Sequence, residues 1–320
     1  MIKNQNIIVT GGLGFIGSHI TEELIKNNQV TIIDNYSTGK IENLNTETRK
    51  EVEIIKEDLN TANLEKILEN KDYIFHLAAA VSVPESVEKP MYTHINNVDA
   101  TMKLLNAAKN SNIKKIIFSS SSAIYGDNPN TPLKETETYS PTSPYAGTKA
   151  IDEIYLKTFH QTYGLEYTAL RYFNVFGPKQ DVNSPYAAVI PKFISSIINN
   201  EKPKIYGDGE QTRDFIYIKD IVNANIKAAE SNYNGIVNIA SGKAYTINQL
   251  YDIISEVLET DIKPEYLEPR PGDIKHSYAS IENMEKINFK VDESKFKEKL
   301  QETVKWFKKK YEGAWKWKNL

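Results

Sequence analysis

A short apolar run, 6-NIIVT-10, leads straight into 10-TGGLGFIGSH-19, and this junction limits the possible folds more than any other stretch. Gly11, Gly14 and Gly17 stand at three-residue spacing, after a strand-like segment and before a helical pattern of Ile16, Ile20 and Leu24. A strand that turns on glycines into a helix brings bare backbone amides and the positive end of the helix dipole to one point. Without side chains in the way, a pyrophosphate can approach the backbone closely. The reading is a dinucleotide loop; the competing one is a glycine turn without a ligand.

The second strand candidate, 29-QVTIID-34, ends in Asp34, 20 residues after Gly14. A carboxylate there accepts hydrogen bonds from the ribose hydroxyls of an adenosine and repels a 2′-phosphate, so NAD is expected over NADP. Lys40 is close enough in sequence to keep NADP open. Asp58, at the end of 53-EIIKED-58, has two readings: acceptor for the adenine amino group, or cap of the following helix.

Further short β-branched runs follow at 72-DYIFHLA-78, 114-KKIIFSS-120 and 167-YTALRYF-173, separated by helical patterns. Near-continuous apolar strands suit a parallel sheet buried on both faces. Their alternation with helices implies right-handed βαβ units. The expected fold is α/β: a doubly wound parallel sheet (Rossmann) with a smaller, discontinuous α/β substrate lobe. After Asn174 the rhythm loosens into the loop-like 175-VFGPKQDVNSP-185. Strand candidates 214-DFIYI-218 and 236-IVNIA-240, flanking a helix over 219–230, read as a return to the main sheet. The expected division is 1–174 and 212–240 for the dinucleotide, with 175–211 and 241–320 for the substrate. A final helix near 293–311 carries Phe296, Leu300, Val304 and Phe307 on one stripe.

Composition excludes several classes of function. A formal charge of -3 over 320 residues gives no nucleic-acid or membrane surface, and the one basic run, 307-FKKKYEGAWKWK-318, reads as a solvated helix face. With no cysteine, disulfides, thiolate catalysis and cysteine-ligated metals are out. The longest apolar stretch, 77-LAAAVSV-83, is too short to span a bilayer, and no secretion signal is visible, so a cytoplasmic enzyme is expected.

The chemistry concentrates in 144-PYAGTK-149, which opens a helix running to about Tyr163. Pro144 suits a first turn, and Tyr145 and Lys149 share a face at i and i+4. A phenol titrates near 10, so acting as a base near neutral pH requires a cation beside it. Lys149 and the positive nicotinamide ring are the expected cations, and Lys149 can also hold the nicotinamide ribose. In 119-SSSSAIYG-126, at the end of the fifth strand, Ser119 and Ser120 read as turn and cap residues.

Together these segments, with 34-DNYSTG-39, 76-HLAA-79, 171-RYFNVFGP-178 and 206-YGDGEQTRDFIYIKD-220, resemble the extended short-chain dehydrogenase/reductase family over essentially the whole chain. Within it the chain is similar to nucleotide-sugar 4-epimerases of the UDP-glucose/UDP-N-acetylglucosamine type. The resemblance implies a pyrophosphate loop of Gly11, Gly14, Phe15, Ile16 and Gly17. It puts Asp34, Asn35, Ser37, Thr38 and Gly39 at the adenosine and Asp58 and Leu59 at the adenine. Leu77, Ala78, Ala79 and Asn96 would line the cofactor groove, with Tyr172 and Phe173 beside the nicotinamide. Ser121, Tyr145 and Lys149 would be catalytic. Asn174, Val189, Tyr206, Arg213, Arg270 and Asp273 would hold the UDP moiety, and Ser82 and Ser277 the sugar. A Ser277 in place of a bulky tyrosine implies room for an N-acetyl group, so UDP-N-acetylglucosamine and UDP-N-acetylgalactosamine are expected to interconvert, with UDP-glucose and UDP-galactose as further substrates. The implied reaction is reversible oxidation at C4 through a 4-keto sugar, with NAD regenerated each turn. A homodimer through helices near 97–110 and 142–163 is implied by the resemblance alone.

Related 4,6-dehydratases carry an Asp-Glu pair after the catalytic residue; here Ser122 and Ala123 stand there, which speaks against dehydration. Two alternatives remain: a UDP-glucuronate epimerase or decarboxylase, which calls for extra cations at the sugar carboxylate, and a non-catalytic NAD-binding protein of the same fold.

Overall fold

The computed structural model describes residues 2–182, 188–269 and 274–318, with side chains as far as Lys310. Its strands are β1 (Asn6–Thr10), β2 (Gln29–Ile33), β3 (Glu53–Ile55), β4 (Tyr73–His76), β5 (Lys115–Ser121), β6 (Tyr167–Tyr172), β7 (Asn174–Phe176), β8 (Lys204–Tyr206), β9 (Thr212–Tyr217), β10 (Gly235–Ile239), β11 (Ala244–Thr246), β12 (Glu265–Leu267) and β13 (His276–Ser277). Its α-helices are α1 (Phe15–Leu24), α2 (Thr46–Glu51), α3 (Leu64–Ile67), α4 (Val83–Glu88), α5 (Pro90–His94), α6 (Ala100–Ala108), α7 (Pro144–Tyr163), α8 (Val189–Ile198), α9 (Ile218–Glu230), α10 (Ile247–Leu258) and α11 (Phe296–Lys318).

Seven parallel strands form the main sheet in the order β10-β6-β5-β4-β1-β2-β3. The order reverses between β1 and β4, and a doubly wound sheet opens its crevice at such a reversal. Apolar side chains cover both faces. Ile7, Val9 and Ile32 join the helices α1 and α9 on one side; Ile8, Ile74 and Phe118 join α6 and α7 on the other. The α/β doubly wound expectation holds.

Several local expectations do not. The strand at 214–218 begins at Thr212 and does not return to the main sheet. It pairs with β7, β11 and β13 in a separate four-stranded sheet; only β10 goes back, beside β6. Periodicity cannot separate these cases, because β9 is as apolar and buried as a main-sheet strand. The segment read as a loop from 175 starts as β7. β3 stops at Ile55, three residues before Asp58.

The helix expected near 97–110 is part of a longer path. α5 runs through a π-helical turn, Ile95–Asp99, into α6. α7 matches its sequence signals closely. Ser143 caps it by accepting from Ala146 N, Pro144 fills the first turn, and Gly164 ends it in the left-handed region at φ 72°. The α11 stripe is buried as expected, with Phe296, Leu300, Val304 and Phe307 all in the core.

Candidate active site

At the carboxyl ends of the main-sheet strands lies a cleft of about 600 Å³. Its floor is the glycine turn. Gly11 has φ 68°, and a Cβ there would stand 2.8 Å from Ala78 N. A Cβ on Gly17 would stand 2.1 Å from Gly11 O. The turn therefore tolerates only glycine at both places, and α1 starts from Gly14 without a side-chain cap. A bare helix start beside a cradle that any side chain would fill fits a pyrophosphate.

Asp34 lies at the end of β2, nearly buried. Its Oδ2 accepts from Leu13 N at 3.0 Å and its Oδ1 from Tyr36 N at 2.8 Å. These bonds tie the adenosine end of the cleft to the glycine turn and leave lone pairs for ribose hydroxyls. A Cβ on Gly39 would stand 2.9 Å from both carboxylate oxygens. Lys40 does not line the cleft; it pairs with Asp181 at 3.7 Å. Asp58 caps no helix, since Asn63 caps α3. Its Oδ1 accepts from Asn60 N and its Oδ2 from Asn35 Nδ2, both at 2.8 Å. Burial raises this carboxyl, but those hydrogen bonds and Lys103 outweigh it and hold it below the usual range.

The cleft wall gathers Phe15, Ile16, Asn35, Ser37, Thr38, Asp58, Leu59, Leu77, Ala78, Ala79, Asn96, Tyr172 and Phe173 from the cofactor set expected from sequence; Gly39 and Lys149, also expected there, do not line it. Its charged lining residues are Asp34, Glu57, Asp58 and Glu85; no lysine or arginine is among the described ones. An anion held here relies on backbone amides.

Ser82, Ser121 and Tyr145 line the same cleft. Ser82 caps α4 by accepting from Glu85 N at 3.2 Å. β5 runs through Ser119 and Ser120 to Ser121, so the first two are strand residues rather than turn or cap residues. The capping role falls to Ser121, whose Oγ accepts from Ala123 N at 3.2 Å and starts the 3-10 helix Ser122–Tyr125. Ser120 is buried and donates to Glu153 Oε1.

Tyr145 shows one departure from expectation. Burial raises its phenol above the ordinary value, a hydrogen bond with Ser121 lowers it, and Asp152 raises it. The expected lowering by Lys149 is absent from that balance. The Lys149 ammonium lies over the Phe118 ring and donates to the Ser119 carbonyl at 2.9 Å, not to the phenol. Burial pushes Lys149 itself down, while Asp152 and Glu153 oppose this. Tyr145 is fixed from behind by Ser86, whose Oγ accepts from Tyr145 N at 3.1 Å.

A second cavity, about 260 Å³, brings together Asn174, Val189, Tyr206 and Arg213. Val175 lines both cavities. Asn174 Nδ2 donates to Asp214 O, and Arg213 donates to Thr212 O. Ser277 is buried in β13 opposite Arg213 and lines neither cavity. Arg270 and Asp273 lie outside the described residues.

Sequence reasoning missed Lys192, Lys204 and Gln211 in this second cavity. Gln211 lies inside the segment 206–220 and was legible as part of that motif. Lys192 and Lys204 carry no signal that separates them from surface lysines. It also missed the buried cluster behind Ser120: Arg171 forms a two-bonded ion pair with Glu153 at 2.7 and 3.0 Å, and its Nη1 donates to Tyr125 Oη at 2.8 Å.

The pattern describing the GDP-mannose 4,6 dehydratase family matches residues 8–318. A UDP-glucose 4-epimerase of Mycolicibacterium smegmatis is 31% identical, covering 95% of this chain and 98% of that one. The solved UDP-N-acetylglucosamine 4-epimerase of Methanobrevibacter ruminantium, in complex with UDP-N-acetylmuramic acid, is 65% identical over 97% of this chain and 100% of its own, with a TM-score of 0.95. That of Thermus thermophilus UDP-glucose 4-epimerase, in complex with NAD, is 32% identical over 95% and 99%, with a TM-score of 0.86. With the glycine turn, Asp34, Ser121, Tyr145 and Lys149 all at one end of a seven-stranded parallel sheet, the chain belongs to the GDP-mannose 4,6-dehydratase family, within the extended short-chain dehydrogenases/reductases.

Proposed function

We propose that this chain is an NAD-dependent UDP-sugar 4-epimerase, an isomerase that inverts the sugar's C4 by reversible oxidation. The observation that carries the reading is the placement of Ser121 and Tyr145 in the same cleft as the glycine cradle, with a second cavity joined to it at Val175. When bound, NAD supplies a reversible two-electron acceptor and a positive charge beside the phenol. The glycine turn and the start of α1 hold its pyrophosphate, and Asp34 its adenosine ribose.

Tyr145 Oη takes the proton of the sugar 4-hydroxyl and later returns one to the 4-keto oxygen. Ser121 hydrogen-bonds the phenol and the sugar oxygen. Lys149 supports the nicotinamide end. Asn174, Val189, Tyr206 and Arg213, with Arg270 and Asp273, anchor the UDP while the sugar turns. Arginine suits a diphosphate because its planar fork binds two oxygens at once. Residues 1–174 and 218–240 serve the cofactor and 175–217 and 241–320 the UDP-sugar, which moves β9 from the expected cofactor unit to the sugar side.

The substrates are the UDP-N-acetylglucosamine/UDP-N-acetylgalactosamine pair, with UDP-glucose/UDP-galactose as a further pair. Ser82 lines the cleft and offers a hydroxyl to the acetamido group, and the small Ser277, buried outside both cavities, stands where the resemblance implies room for it. A sugar carboxylate finds four acids and no described base along the cleft, which speaks against UDP-glucuronate chemistry. Ser122 and Ala123 offer no acid/base pair for water loss.

The protein works as a cytoplasmic homodimer. Val87, Met91, Ile95, Ile151 and Ile154 are exposed on α4, α5, the π-helical turn and α7, which pack against one another and form an apolar face. No described helix is long and apolar enough to cross a membrane.

Incubation with UDP-N-acetylglucosamine should yield its C4 epimer. Tyr145→Phe should fold and bind NAD yet lose about three orders of magnitude in kcat. Binding heat without conversion would instead identify a binding module, and near wild-type turnover in the variant would remove Tyr145 as the base.

A further inference from the structure

Two carboxylates follow Lys149 on α7, and they differ sharply in their surroundings. Glu153 is fully engaged: it binds Arg171 through two nitrogens, and it accepts from Ser120 Oγ and, at 3.0 Å, from Tyr139 Oη. Asp152 is fully buried, and both of its oxygens lack a hydrogen-bond partner. A buried polar group without partners is costly, so evolution rarely leaves one without a use.

Asp152 stands three residues after Lys149 and seven after Tyr145, on the helix face that carries both. Opposite it on α6 is Thr101. That hydroxyl lies beside the carboxyl and helps to lower it, yet its hydrogen bond of good geometry goes to His76 Nε2 at 3.0 Å. His76 Nδ1 in turn meets Thr10 Oγ1 at 2.7 Å, and Thr10 Oγ1 accepts from the amides of Leu77 and Ala78 in the cleft wall. All of these side chains are buried. A polar layer thus runs from Asp152 behind the cofactor groove, with Lys149 the cation inside it. The other charged groups near Asp152 are Glu153, already neutralised by Arg171, and His76, which burial and Lys149 push down to about 3, so that it is neutral.

We propose that Asp152 is the counter-charge of Lys149, a positioning residue that keeps the ammonium protonated and aimed at the catalytic end of the cleft. The proposal rests on the reading of Tyr145 as the base. Asp152 also raises the Tyr145 phenol directly, by its negative charge, and the proposed role through Lys149 opposes that effect. Burial raises the Asp152 carboxyl to about 8, and Lys149 opposes that rise. As the pH climbs through this range the carboxylate forms, and it holds the proton on Lys149 that burial would otherwise expel.

The test is Asp152→Asn, compared with wild type from pH 6 to 10 on a UDP-sugar. The alkaline limb of kcat should move to lower pH by about one unit or more, while KM changes less than about twofold. A second readout needs no turnover. The absorbance of Tyr145 phenolate at 295 nm, taken as the difference from the matching Tyr145→Phe protein, separates the two effects. Loss of the Asp152 charge alone would let it rise at lower pH in Asp152→Asn and would overturn the proposal, whereas loss of the Lys149 proton, which the proposal expects to dominate, makes it rise at higher pH than in wild type. Stability gives a third. A carboxyl raised from 3.8 to about 8 binds more protons in the folded state over that window, so it costs stability increasingly as pH rises through it. Wild type should therefore lose more melting temperature than Asp152→Asn between pH 5 and pH 9.

Superimposable kcat profiles and phenolate titrations would overturn the proposal. So would a drop in kcat that is uniform across pH and tracks a lower melting temperature. If Asp152→Asn folds poorly, Asp152→Ser carries the same comparison. If the wild type fails to epimerise, the proposed function falls, and the phenolate titration alone decides the role of Asp152.

Discussion

Replacing Arg171 with methionine is expected to cost more stability than any single change at the cleft surface. The side chains of Arg171 and Glu153 are 1% and 0% exposed, so water cannot replace the lost partner. The change deletes the two bonds to Glu153 and the bond to Tyr125 Oη and strands the carboxylate in the core. Breaking one side of a buried, well-bonded pair costs about 3–5 kcal/mol. For a chain of this size that corresponds to a fall of about 6–10 °C in melting temperature. Pairing it with Glu153→Leu removes the stranded charge and should recover at least half of the loss, a coupling of about 2 kcal/mol in the double-mutant cycle. Thermal unfolding followed by circular dichroism reads all four proteins. Single variants within about 1 kcal/mol of wild type, or strictly additive losses, would refute the claim that the pair acts as a unit.

Asp34→Ala removes a carboxylate that holds two backbone amides and is assigned to the ribose. NAD binding should weaken about ten- to a hundredfold by calorimetry, and the preference over NADP should shrink; an unchanged preference would place the discrimination elsewhere. Ser277→Tyr adds a ring where the side chain is already buried. It should abolish turnover of the N-acetylated pair and spare the plain pair, and equal loss on both would remove Ser277 as the gate.

What the sequence disclosed followed from local rules. The glycine turn, the strands of the parallel sheet and both caps of α7 are written in neighbouring residues, because backbone conformation there depends on the residues themselves. The pairing of β9 was not legible, because an apolar run does not say which sheet buries it. Asp152 was hidden for a related reason. An aspartate eight residues into a helix normally faces water, and only the packing of α6 against α7 encloses this one. The tuning of Tyr145 was half legible: spacing gave the shared face with Lys149, but not the Ser119 carbonyl that takes the ammonium.

The route of the chain between its two larger sheets constrains how the protein can be cut or closed. It passes from the main sheet at β6 to the small one at β7, returns from β9 through α9 to β10, and leaves again for β11. Three covalent spans therefore join the two sheets, two of them leaving the main sheet side by side, after the paired residues Tyr172 and Ile239. A single hinge would need all three to flex together, so a wide clamshell opening is disfavoured, and ligand entry must rely on loops at the rim. A fragment ending near residue 174 would also lack β10. β6 would then become a bare, apolar sheet edge, open to pairing with a second fragment. The dinucleotide half of this protein should aggregate when expressed alone, whereas a nick in one of the three spans should leave the two halves together.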